Sequence, residues 1–121
     1  MAQKILIVDD SAQIREGLKN LLGGSGYEII EAIDGQAGLE VAREQRFDLM
    51  IVDVNMPRLN GLDMITQVRE DSLNAGTPAF VLTTESMNKF AETCEDIGAD
   101  IWIVKPYHAP SLLEVVSHAL A

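Results

Sequence analysis

Four short apolar runs in this chain hand over to side chains that can act on a metal ion or a phosphate. KILIV (4–8) is followed by Asp9 and Asp10, DLMIV (48–52) by Asp53, PAFVL (78–82) by Thr83 and Thr84, and DIWIV (100–104) by Lys105 and Pro106. Taken singly, each has a structural explanation. Asp10 or Ser11 can cap a helix, Asp53 a turn, Thr83 is an ordinary β-branched strand residue, and Lys105 can sit in solvent. Gathered on one rim, they have a joint chemistry. Carboxylates placed together raise the energy of ionising one another, and a hard divalent cation relieves the conflict. Mg2+ takes oxygen ligands, keeps several waters, and typically uses one or two carboxylates with phosphate oxygens. Asp10 and Asp53 are the expected direct ligands, Asp9 acts directly or through water, and the backbone carbonyl of Asn55 is in reach. The remaining coordination positions suit a phosphoryl group, whose transfer depends on positioning and charge neutralisation. Lys105 then supplies a further positive charge, the Thr83 hydroxyl donates to a phosphoryl oxygen, and Asp53 is the natural nucleophile.

The elements that must position these residues are legible as alternating patterns. The four runs, and a fifth, YEIIEA (27–32), are strand-length and rich in Ile, Val or Leu. Between them apolar residues recur at helical spacing: Ile14, Leu18, Leu21 and Leu22; Leu62, Ile65 and Val68; Leu112, Leu113, Val116 and Leu120. GGSG at 23–26 closes the first helix, DG at 34–35 precedes the second, NG at 60–61 the third, and Pro110 suits the first turn of the last. Three of the five runs are nearly continuous in apolar residues, as expected for strands covered on both faces. The pattern predicts an α/β fold with a parallel sheet and right-handed crossovers. In such open sheets ligands bind at the carboxyl ends of the strands, where strand order reverses.

Composition narrows the function classes. The 121 residues predict one domain with a sizeable core. No apolar run approaches the roughly 20 residues of a membrane span, and MAQKILIVDD lacks the form of an export signal, so a soluble, cytoplasmic protein is expected. Cys94 is the only cysteine, which excludes an internal disulfide and a cysteine zinc site and marks it as a packing residue. Nineteen acids against nine bases give a formal charge of −10, which repels nucleic acid and anionic lipid. Solubility accounts for most of that acidity, but not for acids placed at strand ends. His108 and His118 read as solvated surface, and Met56, Met64 and Met87 as gap-filling core.

The motifs VDDS, DLMIVDVNMP, VLTT and VKP, in that order, resemble those of a response-regulator receiver domain. The intervals agree: Asp53 to Thr83 is 30 positions and Asp53 to Lys105 is 52, and AIDG and NGLD fall where receivers carry them. The resemblance runs from Lys4 to the last helix. It implies a single flavodoxin-like (βα)5 doubly wound domain over residues 1–121, with a five-stranded parallel sheet in order 2-1-3-4-5 and helices on both faces. That strand order comes from the resemblance and not from the spacing. No output domain is expected within these residues.

By the same resemblance the protein is a phosphoacceptor switch rather than a conventional enzyme, catalysing its own phosphorylation and dephosphorylation. Asp53 would become a 4-aspartylphosphate, taking the phosphoryl group from a phosphohistidine of a sensor histidine kinase with Mg2+, or from a small donor such as acetyl phosphate. Thr83 would then be drawn toward the phosphoryl group and Trp102, three positions before Lys105, would turn inward, changing the surface of the fourth helix, fifth strand and fifth helix. Asn55 and Glu85 stand where receivers tune hydrolysis, and the Lys105–Pro106 bond is often cis in the family. Trp102 replaces a usual Tyr or Phe, Thr84 an Ala or Gly, and Tyr107 a Phe. VLTTES with GADIWIVKP looks like the stand-alone chemotaxis regulators of CheY type, which implies a CheA-like kinase, a flagellar motor switch protein as target, and a possible phosphatase. A phosphate sink or a phosphorelay intermediate without motor binding would share the chemistry. An FMN-binding flavodoxin would need a Ser/Thr/Gly-rich loop where this chain has Asp9 and Asp10, and an aspartate-based phosphatase would carry its second acid where Asn55 stands.

Overall fold

Strand and helix alternate through the residues that the computed structural model describes, which are 2–54, 56, 58–70, 73–83 and 99–121. In order they are β1 (Lys4–Val8), α1 (Ala12–Gly23), β2 (Glu28–Ala32), α2 (Gly35–Glu44), β3 (Leu49–Asp53), α3 (Gly61–Glu70), β4 (Ala79–Thr83), β5 (Ile101–Val104) and α4 (Ala109–Ala119). The helix expected between β4 and β5 falls on residues 84–98, outside the described residues, so the last helix is numbered α4. Asn55, Thr84, Glu85, Met87 and Cys94 also lie outside the described residues.

Local chemistry sets the helix boundaries. The Ser11 hydroxyl accepts from the Ile14 amide at 3.3 Å, and the Asp34 carboxylate accepts from the Ala37 amide at 2.8 Å. Asn60 Oδ1 accepts from the Asp63 amide at 2.9 Å, and Pro110 occupies the first turn of α4, where its missing N–H costs nothing. Because Ser11 caps α1, Asp10 is left pointing to solvent at the rim.

The five strands form one parallel sheet in order β2-β1-β3-β4-β5. Alternation divides the core into two layers. Leu6, Val8, Met50, Val52 and Val81 pack against Leu39 and Ala42 of α2 and Met64, Ile65 and Val68 of α3. Ile5, Ile7, Leu49, Ile51, Phe80 and Leu82 pack against Leu18 and Leu22 of α1 and Leu112 and Val116 of α4. β3 and β4 are buried along their whole length, as their unbroken apolar runs require.

β3 and β4 are shifted by one residue from their apolar runs. Asp53 and Thr83 are the last residues of β3 and β4, not the first beyond them. At the opposite edge Asp48 and Asp100 tie neighbouring strands together: Asp48 Oδ2 accepts from the Lys4 amide at 2.8 Å and Asp100 Oδ2 from the Ala79 amide at 2.8 Å. There the buried Asn74 side chain accepts from the Phe47 amide at 2.9 Å, while Arg69 donates to the carbonyls of Asn74, Ala75 and Thr77. Burial pushes the Arg69 guanidinium below its ordinary value, against the opposing pull of Asp100. None of the helices among the described residues is long and apolar enough to cross a membrane.

Two glycines are demanded by contact. A Cβ at Gly61 would run into the carbonyl oxygen of Asp53, and one at Gly35 into the carbonyl of Leu59. The loop after β3 is therefore pressed against the strand it leaves and against the start of α2. Gly61→Ala is expected to cost about 1–3 kcal/mol or more through overpacking, whereas Gly76→Ala, with nothing within 4 Å of its Cβ, should stay within about 0.5 kcal/mol of wild type. Urea denaturation of the two variants checks the difference.

Candidate functional site

The sheet reverses direction of growth at β1, which has β2 on one side and β3 on the other. A crevice opens at the carboxyl ends of such a pair. Val8 is opposite Val52, so the next residues, Asp9 and Asp53, stand side by side. Both are buried, at 0% and 3% exposure, while Asp10 is exposed. One carboxylate oxygen from each of the three lies within 4.8 Å of the others. The donor set is all hard oxygen, two groups fixed in the protein and one facing water. That composition fits a hard divalent cation that keeps part of its hydration.

Lys105 supplies the positive charge that the buried pair needs. Its Nζ donates to Asp53 Oδ1 at 3.0 Å and to Asp9 Oδ2 at 3.2 Å, with the lysine side chain only 17% exposed. Past β5, the Lys105 amide donates to the Thr83 carbonyl at 2.7 Å, and the Lys105–Pro106 peptide is cis. Burial is the largest single influence on the ammonium and would lower its pKa. The hydrogen bond to Asp53, the charges of Asp9 and Asp53 and the bond to Asp9 together outweigh it, so the pKa is raised above 10.5. Asp9 also uses its other oxygen, Oδ1, which accepts from the Ser11 amide at 2.9 Å. Thr83 is fully buried at the end of β4, between the strands that carry Asp53 and Lys105.

Of the residues singled out in the sequence, Asp9, Asp10, Asp53, Thr83 and Lys105 come together on this rim. Trp102 does not: it is half-buried on β5 and packs against the α2–α3 layer, while Ile101 and Ile103 face the other layer. It borders a separate groove of about 260 Å³, lined also by Val104, Tyr107, His108 and Leu112. His108 is exposed with Nδ1 2.8 Å from Ser111 Oγ, and His118 is exposed on α4. Met64 is fully buried and Met56 half-buried against the same layer, both gap-filling. Asn55 and Glu85 are outside the described residues. Sequence reasoning passed over Arg15, whose Nη1 donates to the Asp9 carbonyl at 2.6 Å. Its one signal was position, a cation in the first turn of the helix that leaves the acidic pair.

Comparison with known proteins agrees with the fold. The pattern of the response regulator receiver domain matches residues 5–117. The transcriptional regulatory protein PdtaR of Mycobacterium tuberculosis is 36% identical over 120 residues, which is 98% of this chain and 57% of that protein. The response regulator MprA of Mycobacterium ulcerans is 37% identical over 113 residues, 93% of this chain and 48% of that protein. The chain thus spans about half the length of the curated relatives it matches. Among solved structures, the Vibrio cholerae chemotaxis protein CheY4 superposes with a TM-score of 0.94 at 38% identity, covering 99% of this chain and 100% of that one. A CheY-like receiver domain protein from Methanospirillum hungatei does so with a TM-score of 0.92 at 28% identity, covering 99% and 94%.

The raised pKa of Lys105 has a definite sign. Its stabilising contribution is complete below the ordinary value of 10.5 and is lost as pH rises through the higher folded-state value. In metal-free buffer, Lys105→Met is expected to lower stability at neutral pH by about 1–3 kcal/mol, because it takes a charged donor from two buried carboxylates. The variant should also lack the part of the alkaline fall-off that belongs to this ammonium. Urea midpoints followed from about pH 7 to 12 measure both effects.

Proposed function

This chain belongs to the response regulator receiver domain family, and on that footing we propose that Asp53 is its phosphoacceptor. Receiver domains are phosphoacceptor switches of two-component systems, so a sensor histidine kinase is the partner the family implies. In the proposed step a carboxylate oxygen of Asp53 attacks the phosphorus of a phosphohistidine. The new P–O bond makes an acyl phosphate, the P–N bond breaks, and the departing imidazole takes a proton. The reading rests on one observation: Asp9, Asp10 and Asp53 each bring an oxygen within 4.8 Å of the others while Lys105 bridges Asp9 and Asp53.

Asp10 and Asp53 would hold Mg2+, with Asp9 directly or through water and the Asn55 carbonyl alongside. When bound, that ion supplies charge neutralisation to the phosphoryl oxygens. Lys105 pairs with the phosphoryl group, and the Thr83 hydroxyl, at the end of the adjoining strand, donates to it. Movement of Thr83 and Trp102 then alters the surface of β5, α4 and the helix expected between β4 and β5, and Asn55 and Glu85 govern how fast the acyl phosphate hydrolyses, an activity of the protein itself.

Within these residues the output we propose is protein contact in the cytoplasm, with a CheA-like kinase upstream and a flagellar motor switch protein as target. Likeness to the Vibrio cholerae chemotaxis protein along its whole length supports this reading. The curated relatives favour a second one, in which the same switch serves transcription, since several are named as transcriptional regulators. A phosphate sink or relay intermediate would use the site without motor binding.

Wild-type protein given acetyl phosphate and Mg2+ should gain the mass of one phosphoryl group, and Asp53→Asn none; a labelled variant would refute the assignment. Asn55→Ala and Glu85→Ala should each prolong the phosphorylated state severalfold in a decay assay. Pull-down with and without beryllofluoride, against kinase and motor components, separates the outputs. Gain of motor binding selects chemotaxis, and kinase contact alone selects the sink or relay.

A further inference from the structure

The turn that carries Asp9 and Asp10 is tied to β2 twice. Directly, the Asp9 amide donates to the Ala32 carbonyl at 3.2 Å. Indirectly, Arg15 reaches back from the first turn of α1: its Nη1 donates to the Asp9 carbonyl at 2.6 Å, and its Nε lies 3.5 Å from Glu31 Oε1 on β2. The arginine side chain is 15% exposed and that of Glu31 33%, so the pair is largely sheltered. The Asp9 carbonyl belongs to the peptide that leads into Asp10. Fixing that peptide plane fixes the N–Cα bond from which the Asp10 side chain is hung, and so narrows the directions in which its carboxylate can point.

We propose that Arg15, held by Glu31, is a positioning residue that aims Asp10 and thereby sets how tightly the acidic rim holds its divalent cation. The proposal rests on the reading of Asp9, Asp10 and Asp53 as that cation's site. Two features separate this role from that of an ordinary surface ion pair. Arginine offers several donors in a rigid fork, so it can bond the Asp9 carbonyl while paired with Glu31, which an ammonium does less well. Glu31 also cancels the arginine's charge, which would otherwise repel a cation bound nearby. Lys19 Nζ lies 3.7 Å from the second oxygen of the same glutamate and serves as an internal control for removing a positive charge beside Glu31.

Calorimetric titration with Mg2+ tests the proposal on wild type, Arg15→Ala, Arg15→Lys, Glu31→Gln and Lys19→Ala, with thermal unfolding in EDTA run beside it. Loss of a partner that orients a metal ligand typically weakens affinity by about 10–100-fold. Arg15→Ala should fall in that range, Arg15→Lys should recover part of the loss, Glu31→Gln should be weaker than wild type, and Lys19→Ala should stay within about twofold. In acetyl phosphate labelling, Arg15→Ala should need correspondingly more Mg2+ for half-maximal rate, yet regain the wild-type rate at saturation. Wild-type affinity in Arg15→Ala and Glu31→Gln overturns the proposal, as does a rate deficit that Mg2+ cannot restore. If Arg15→Ala does not fold, Glu31→Gln and Arg15→Lys decide alone: wild-type affinity in both overturns it. Absence of Mg2+ binding by the wild type overturns the metal reading itself, a result distinct from wild-type affinity in the variants.

Discussion

Asp9 and Asp53, buried at the ends of adjacent parallel strands, share one ammonium. Two negative charges this close repel each other, and taking them out of water is costly. Lys105 between them is what makes the arrangement tolerable. It comes from β5, two strands away from β3, so its side chain must cross the end of β4, a span of about 10 Å between strand axes. Thr83 stands at that crossing. A compact residue there leaves the lysine a path, and its carbonyl anchors the Lys105 amide from which the side chain starts.

The rest of the fold holds these few groups in register. Two apolar layers fix the sheet from both sides, so the strand ends cannot shift independently of the core. Above the sheet the loop after β3 is locked by close approach, Gly61 to the Asp53 carbonyl and Gly35 to the Leu59 carbonyl. Arg58, in a left-handed conformation with φ 70°, lies 3.7 Å from the buried Asp34 that caps α2. The loop that leaves the central acid is thereby coupled to the start of α2, on the side opposite the lysine. Below the sheet, Asn74 and Arg69 satisfy a cluster of buried backbone groups where no regular element could.

Much of this was legible in the residues. Continuous apolar runs in β3 and β4 announce burial on both faces, and Asp34, Asn60 and Pro110 announce where helices begin, because caps and turns are local chemistry. Acids ending apolar strands announce a rim. Other features were not legible, for physical reasons. The order of strands depends on pairing between distant segments and came only through resemblance. Asp48 and Asp53 flank the same run, yet one ties strand backbones at the amino end and the other faces the crevice; type and local spacing do not distinguish them. Gly35 and Gly61 read as turn residues, whereas what forbids a side chain there is a carbonyl brought in by the fold. Arg15 drew no notice because periodicity reports which face is apolar and is silent on where a long side chain reaches.

The strand that delivers the shared ammonium is the least enclosed of those bordering the rim, with Ile101, Trp102 and Ile103 half-buried and Val104 43% exposed. Charge balance at the centre of the molecule is thus mortgaged to its periphery. Any macromolecule that grips the outer side of β5 and favours one placement of the lysine would change the affinity of this acidic rim for a divalent cation by some factor. Thermodynamic reciprocity then obliges the cation to change the grip of that macromolecule by the same factor.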